Sequence, residues 1–187
     1  MPKQSKIVTV FGSAHWLEGD ADYEEARVLG RELARRGFAV CSGGYGGVME
    51  AVSRGAKEGG GRTMAVTSKV FQRKANEWVD EEHLTATWEE RLFELVRRGD
   101  GFVACKGGTG TLVELAVVWE MLNKRILRDK PFAVLGDFWV PVLERVRELE
   151  LGRGHRTSEA GARQVAHART PMEVADMMAT ALGRGSR

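Results

Sequence analysis

One glycine-rich stretch, Lys106-Gly107-Gly108-Thr109-Gly110-Thr111-Leu112-Val113-Glu114, carries residue types suited to holding a phosphate. It follows a short apolar run, 101–105, and opens a helical pattern that continues to Leu122. A strand, a glycine turn and a helix N-terminus in succession direct free backbone N–H groups and the positive end of the helix dipole at an anion. Glycines let the backbone approach that anion without side-chain clashes. We therefore expect a nucleotide phosphate to bind at Gly107, Gly108, Thr109, Gly110 and Thr111.

The pair Thr111 and Glu114 also has a purely structural interpretation. Its Thr-x-x-Glu spacing is that of a helix capping box, in which the two side chains satisfy backbone N–H groups at the start of a helix. A glycine-rich turn between a strand and a helix is also ordinary turn chemistry. The loop by itself leaves both interpretations open.

Strand and helix patterns alternate along the chain and predict the elements that must position this loop. Strands are predicted at 7–11, 38–41, 63–66, 101–105, 132–135 and, more weakly, 164–168. Helices are predicted at 23–36, 48–58, 88–98, from the glycine-rich loop to about 123, at 138–149 and from 171 onward, with no regular element from 67 to 87 and a polar stretch at 152–162. Such alternation is typical of the α/β class. We expect one domain over residues 1–187, a Rossmann-like parallel sheet with helices on both faces.

Two further turns should meet the phosphate loop, because the carboxyl ends of parallel strands lie at one edge of a sheet. Gly12 and Ser13 follow the first strand, and Gly43 and Gly44 follow the second. The first turn lacks the G-x-G-x-x-G pattern of dinucleotide-binding proteins, and no G-x-x-x-x-G-K-[ST] run is present. A redox enzyme with a nicotinamide cofactor is therefore not expected.

The amino-acid composition limits the classes of partner that we expect. The 187 residues are 43% hydrophobic and 29% charged, as in soluble globular proteins, and the net charge of +2 comes from scattered basic residues. We therefore expect no nucleic-acid partner. Cys41 and Cys105 are the only cysteines and lack metal-ligand spacing, so no metal, disulfide framework or cofactor is expected. The chain has no signal-peptide pattern and no apolar run of about 18 residues, which predicts a cytoplasmic protein without a membrane partner.

The motifs resemble those of the Lonely Guy-type phosphoribohydrolases, a family often labelled "lysine decarboxylase-like". Its signature, P-G-G-x-G-T-x-x-E, is matched at every fixed position from Gly107 to Glu114, with Lys106 in place of the proline. The family's M-x-x-R-K motif has its Arg fifteen residues before that proline, and Arg91 lies fifteen residues before Lys106. Trp88 and Leu92 replace the Met and Lys of that motif.

Two further motifs extend the resemblance over about residues 6–150. Gly12-Ser13 matches the family's early Gly-Ser, and residues 42–52 resemble its S-G-G-G-x-x-G-L-M-x-A-V turn. The resemblance implies hydrolysis of the N-glycosidic bond of a nucleoside 5′-monophosphate, either AMP or a cytokinin riboside monophosphate, with Arg91 and Glu114 as the catalytic pair. It also implies a homodimer formed through helices that flank the sheet, for which the apolar run 117–122 is suited, although core packing explains most of that run.

Several alternatives stay open at the level of sequence. Arg91 is surrounded by charges at positions 89, 90, 94, 97 and 98, which also fits a solvated helix surface. Lys106 adds a cation close to the expected phosphate. His15 and Trp16 are candidates for the base pocket, and residues 67–87 should cover the base and ribose. A non-catalytic nucleotide or molybdenum-cofactor carrier of the same fold is the alternative to the enzyme.

Overall fold

A single parallel sheet organises the computed structural model, which describes residues 5–127, 129–152 and 165–183. Its strands are β1 (Ile7–Phe11), β2 (Ala39–Ser42), β3 (Thr63–Ser68), β4 (Glu81–Thr85), β5 (Gly101–Ala104), β6 (Phe132–Leu135) and β7 (Val165–Ala168). The helices are α1 (Ala21–Arg35), α2 (Val48–Glu58), α3 (Trp88–Arg98), α4 (Thr109–Asn123), α5 (Val140–Gly152) and α6 (Pro171–Gly183). The predicted α/β class with a Rossmann-like parallel sheet is confirmed.

The strand order creates the crevice in which a ligand is expected. The sheet runs β4-β3-β2-β1-β5-β6-β7, and all six neighbouring pairs are parallel. The chain builds outward from β1 to β4 and then returns through α3 to place β5 on the other side of β1. Loops that leave β1 and β5 therefore diverge to opposite faces at a topological switch point, where open α/β sheets bind their ligands.

Two apolar clusters cover the two faces of the sheet. One cluster joins α1, α2 and α6 to the sheet through residues such as Leu29, Val52 and Met178, all of which are fully buried. The other joins α3, α4 and α5 through Leu95, Val118 and other side chains. Burial on both faces explains why the central strands read as continuous apolar runs.

The segment 67–87 is more regular than its sequence predicts. β3 continues to Ser68, a 3₁₀ turn follows at Lys69–Phe71, and β4 pairs with β3 at the edge of the sheet. The expectation of no regular element was therefore wrong for β4. Four of its five side chains are exposed, so it lacks the apolar pattern that predicts a buried strand.

At the C-terminal end, the predicted weak strand is present as β7 from Val165. The predicted polar stretch 152–162 and the start of that strand, residue 164, lie almost wholly outside the described residues. Both cysteines are free and buried, as expected from their positions at the ends of apolar runs.

Candidate functional site

The loops after β1 and β5 meet at the carboxyl edge of the sheet, as the parallel topology predicts. The N–H of Ser13 donates to the carbonyl oxygen of Lys106 at 3.2 Å, which ties the two loops together. The carbonyl oxygen of Ser13 accepts a hydrogen bond from the N–H of Val48 at 2.8 Å, so the first loop is also fixed to the start of α2. Gly12 allows this packing because a Cβ at that position would overlap the Val48 side chain.

The four amides at the start of α4 are free. Gly108 is the residue before the helix, and its carbonyl accepts the N–H of Leu112 at 3.0 Å. Within the described chain, no hydrogen bond uses the N–H groups of Gly108, Thr109, Gly110 or Thr111. An ideal Cβ on Gly108 or Gly110 would have no neighbour within 4 Å, so the backbone there is open to a ligand. These are the unsatisfied donors that attract an anion at a helix N-terminus.

The capping-box interpretation of Thr111 and Glu114 is wrong. Thr111 is the third residue of α4, and no side chain caps that helix. A capping box occurs instead at α3, where the Thr87 hydroxyl accepts from the N–H of Glu90 at 3.2 Å and the Glu90 carboxylate accepts from the N–H of Thr87 at 3.3 Å. That box fixes the first turn of α3, which includes Arg91.

Glu114 projects a carboxylate with no protein partner into a cavity of about 590 Å³. It makes no hydrogen bond or ion pair with any other described residue. Desolvation raises the pKa of Glu114 from 4.5 to about 7, and the nearby positive charge of Arg91 counteracts that rise. A carboxylate with such a pKa can accept a proton near neutral pH.

Arg91 lines the same cavity and is only 7% exposed, so it is not the solvated helix charge that its acidic neighbours suggest. Its Nε donates to the carbonyl oxygen of Val66 at 2.9 Å, and Nη2 donates to that of Gly43 at 3.2 Å. Burial lowers the pKa of the Arg91 guanidinium, while Glu114 counteracts that effect. Among the described residues, Nη1 has no hydrogen-bond partner, which leaves one edge of the guanidinium for a ligand.

Three predicted phosphate-binding glycines do not line the cavity and have structural roles instead. A Cβ at Gly43 would overlap Nη2 of Arg91, so this glycine makes room for the guanidinium. Gly44 has a φ of +79°, and a Cβ there would lie 2.6 Å from that of Ala65. A Cβ at Gly107 would overlap the Thr111 hydroxyl. The other predicted residues line the cavity: Gly12, Ser13, Arg91, Gly108, Thr109, Gly110, Thr111 and Glu114.

Lys106 is directed away from the cavity. Its Nζ forms an ion pair with Asp22 at 3.0 Å and lies 4.9 Å from the centre of the Trp16 ring. Lys106 is therefore not the additional phosphate cation that its position in the sequence suggests, and Trp16 does not line the cavity. His15 does line it, with Nδ1 lying 3.3 Å from the hydroxyl oxygen of Ser13.

Part of the cavity wall was not identified from the sequence. No motif position names Tyr45, Val70 or Phe71, which line the cavity beside Arg73 and beside Met49, the Met of the motif at residues 42–52. The segment 67–87 was expected to cover the ligand, and it contributes Val70, Phe71 and Arg73. Trp88 and Leu92, which replace family motif residues, also lie in the wall. Within the described ranges, no cluster of three or more His, Cys, Asp or Glu side chains could hold a metal ion. No helix there is long and apolar enough to cross a membrane.

Comparison with known sequences confirms the resemblance. The chain is 35% identical over 139 residues to the cytokinin riboside 5′-monophosphate phosphoribohydrolase LOG4 of Arabidopsis thaliana, an alignment that covers 71% of this chain and 62% of LOG4. It is 34% identical over 146 residues to the rice enzyme LOG, covering 74% of this chain and 58% of that one. The chain thus spans less than two thirds of the length of these plant relatives. It is also 32% identical over 120 residues to an uncharacterised protein of Archaeoglobus fulgidus, covering 63% of this chain and 78% of that protein.

Solved structures share the fold over nearly the whole chain. The molybdenum cofactor binding protein of Rippkaea orientalis has a TM-score of 0.77 and 25% identity, covering 96% of this chain and 98% of its own. The molybdenum cofactor carrier protein of Chlamydomonas reinhardtii has a TM-score of 0.71 and 22% identity, covering 96% of this chain and 99% of its own. The SLOG cluster4 family model matches residues 5–139, most of the chain. The protein therefore belongs to the SLOG cluster4 family.

Proposed function

We propose that the protein hydrolyses the N-glycosidic bond of a nucleoside 5′-monophosphate, of the AMP or cytokinin riboside monophosphate type, to the free base and ribose 5-phosphate. One arrangement carries the proposal: the unpaired carboxylate of Glu114 and the free guanidinium edge of Arg91 share a cavity with four free amides at the start of α4. The activity stated in the names of the plant relatives supports it.

The four amides suit the 5′-phosphate. Backbone N–H groups at a helix N-terminus bind a phosphate dianion without a metal, and the helix dipole adds to the attraction. A phosphate held there places the ribose near Glu114, which follows Thr111 on the same helix. Arg91, with Nη1 unpaired, is suited to bind a phosphate or ribose oxygen.

Glu114 is suited to the bond-breaking step. As the bond between C1′ and the base nitrogen breaks, its electron pair leaves with the base and positive charge develops on the ribose. The Glu114 carboxylate stabilises that charge and accepts a proton from the water whose oxygen bonds to C1′. The base takes up one proton, so one water molecule is consumed for each bond cleaved.

The direct test is incubation with AMP, followed by chromatography for free adenine and an assay for ribose 5-phosphate. We expect both products in equal amounts from the wild-type protein, and their release at least about a hundredfold slower from the Glu114→Gln variant. AMP that binds and is recovered intact would contradict hydrolysis.

A carrier without turnover is the second candidate. It is supported by the similarity to the Rippkaea orientalis molybdenum cofactor binding protein, which extends over 96% of this chain. A carrier would bind the molybdenum cofactor and release no base from any nucleoside monophosphate. Calorimetry with AMP and with the isolated cofactor, combined with the adenine assay, separates the two functions.

We also propose that the protein forms a homodimer through α4 and the turn that follows it. Leu112 is 38% exposed and Ile126 is 63% exposed, so this region presents apolar side chains at the surface. Light scattering coupled to size-exclusion chromatography is expected to give twice the mass of one chain, and a monomeric mass at micromolar concentration would contradict the proposal. Cytoplasmic location stays a prediction.

A further inference from the structure

Of the three side-chain nitrogens of Arg91, only Nη1 has no hydrogen bond to a described residue, and the guanidinium lies against the ring of Tyr45. We propose that Tyr45 is a positioning residue, which fixes the guanidinium so that Nη1 faces the ligand. The proposal rests on the proposed function in one respect, namely that Arg91 has a ligand to bind. The orientation itself is measurable without any substrate.

Tyr45 is fixed at both ends. Its hydroxyl group accepts a hydrogen bond from the N–H of Ser68 at 3.0 Å and donates one to the Ser68 carbonyl oxygen at 3.3 Å. The Asn76 side-chain amide donates to the carbonyl oxygens of Tyr45 at 3.0 Å and of Gly44 at 3.1 Å. The ring, only 7% exposed, therefore has little freedom to move away from Arg91.

The ring of Tyr45 lies against the Arg91 guanidinium. The Cζ atom of Arg91 is 5.4 Å from the centre of the Tyr45 ring and 5.6 Å from that of Phe71. The two rings contact each other edge to face, with centres 5.6 Å apart. A cation–π contact is stronger when the cation is shielded from water, as this one is.

Hydrogen bonds complete the restraint on the guanidinium. Nε and Nη2 of Arg91 are committed to the carbonyl oxygens of Val66 and Gly43. Rotation of the guanidinium out of its present plane would break the bond from Nη2 to Gly43 and change the contact with the Tyr45 ring. Phe71 is 40% exposed and belongs to the short 3₁₀ turn, so it is the weaker of the two aromatic restraints.

The test compares the two tyrosines of the chain, Tyr45 and Tyr23. Tyr23 is a matched control, because it is buried and its hydroxyl group donates to Glu50 at 3.0 Å, but it lies in α1, in the apolar cluster that joins α1, α2 and α6 to the sheet. The variants are Tyr45→Leu, Tyr45→Met, Tyr45→Phe, Tyr23→Leu and Tyr23→Phe. The first readout is the ¹⁵N NMR signal of the Arg91 Nε–H group, identified by its loss in Arg91→Lys.

Removing the ring of Tyr45 should free the guanidinium. We expect hydrogen exchange of the Arg91 Nε–H group to accelerate about tenfold to thirtyfold in Tyr45→Leu and Tyr45→Met, the range of a desolvated cation–π contact. Tyr45→Phe keeps the ring and should restore most of the protection, whereas both Tyr23 variants should leave it unchanged. The proposal is overturned if the Arg91 Nε–H group is as protected in Tyr45→Leu as in the wild type. If the Leu variant does not fold, Tyr45→Met decides in its place. A loss of protection in Tyr23→Leu as large as that in Tyr45→Leu would also overturn the proposal.

The second readout is kinetic and separates this proposal from the proposed function. With AMP, Tyr45→Leu should lower kcat/KM by the same factor as the change in protection, and Tyr45→Phe should recover most of it. If the wild-type protein does not cleave AMP, the proposed function fails, while the exchange measurement still decides the role of Tyr45. If AMP is cleaved and Tyr45→Leu keeps the wild-type kcat/KM, the positioning role is refuted.

Discussion

Glu114 combines two properties that a proton acceptor in hydrolysis needs. Its carboxylate has no hydrogen bond or ion pair with another residue that the structure describes, and desolvation raises its pKa to about 7. A carboxylate that served only to stabilise the helix would instead be hydrogen-bonded to backbone N–H groups, as Glu90 is in α3. Glu114 therefore faces the cavity and does not cap its own helix.

We predict that Glu114→Gln lowers kcat by roughly 10²–10³ while AMP affinity changes little. The substitution keeps the size of the side chain but removes the negative charge that stabilises the developing positive charge on the ribose. Steady-state assays and calorimetry with AMP measure the two quantities. A Gln variant with wild-type kcat would show that the carboxylate has no part in the reaction.

For Arg91, we predict that substitution by Lys already lowers kcat/KM by about 10² or more. An ammonium group has three donors on a single nitrogen, so it cannot reproduce the planar fork that reaches the carbonyl oxygens of Val66 and Gly43 from Nε and Nη2 while Nη1 is left for the ligand. Arg91→Ala should weaken AMP binding as well as slow turnover. Because the side chain is buried, Arg91→Ala should also lower the free energy of unfolding by about 1–3 kcal/mol, so affinity is measured below the melting temperature. Equal activity in the wild type and both variants would contradict the prediction.

At the scale of elements, α4 carries both the proposed phosphate site and the proposed catalytic carboxylate. The free amides of residues 108–111 and the carboxylate of Glu114 belong to the same helix, about one turn apart. β5 determines where this helix begins, because α4 follows it after a turn of only four residues, 105–108. A shift of α4 along its axis would therefore move the amides of residues 108–111 and the carboxylate of Glu114 together.

We predict that an anion occupies the amides of residues 108–111 in crystals grown with phosphate, sulfate or AMP. The reason is that these four N–H groups have no partner among the residues with a described structure, and that the neighbouring glycines leave the backbone open. Gly110→Pro provides a check, since it removes one donor from the first turn of the helix, where proline is tolerated. It should weaken phosphate binding and leave the fold intact. Density for the anion elsewhere would contradict the assignment.

At the scale of the whole molecule, the raised pKa of Glu114 links the site to stability. The folded protein holds the Glu114 proton up to a pH of about 7, whereas the unfolded chain releases it near 4.5. Between these values the folded state binds more protons, so the contribution of Glu114 to the free energy of unfolding falls as pH rises. The loss is complete above the folded pKa.

We therefore predict that Glu114→Gln becomes more stable relative to the wild type as pH rises from 5 to 8, since a pKa difference of one corresponds to about 1.4 kcal/mol. Urea unfolding of both proteins at the two pH values measures the difference. The Glu120→Gln variant is a control, because Glu120 is an exposed residue of α4 that pairs with Lys124. Parallel pH profiles for the wild type and Glu114→Gln would show that Glu114 is not desolvated in the folded protein.

The sequence by itself determined the α/β class and brought the phosphate loop, Glu114 and Arg91 to one site. The fold class and the phosphate loop follow from local properties: strand and helix periods, glycines at turns, and the fact that the carboxyl ends of parallel strands share an edge. The assignment of Arg91 and Glu114 as a pair came from the family resemblance, because the charged neighbours of Arg91 by themselves indicate a solvated helix surface.

Only the tertiary structure decided what each residue does there. Whether a glycine contacts a ligand or makes room for a neighbour depends on side chains distant in sequence, as Gly43 and Arg91 show. The ion pair that turns Lys106 toward Asp22 likewise joins residues from two separate elements. β4 was missed because its side chains are exposed, and it is a strand only through its pairing with β3. Tyr45 was missed because its role depends on a packing contact with Arg91, and no local pattern encodes the distance between two elements that meet only after folding.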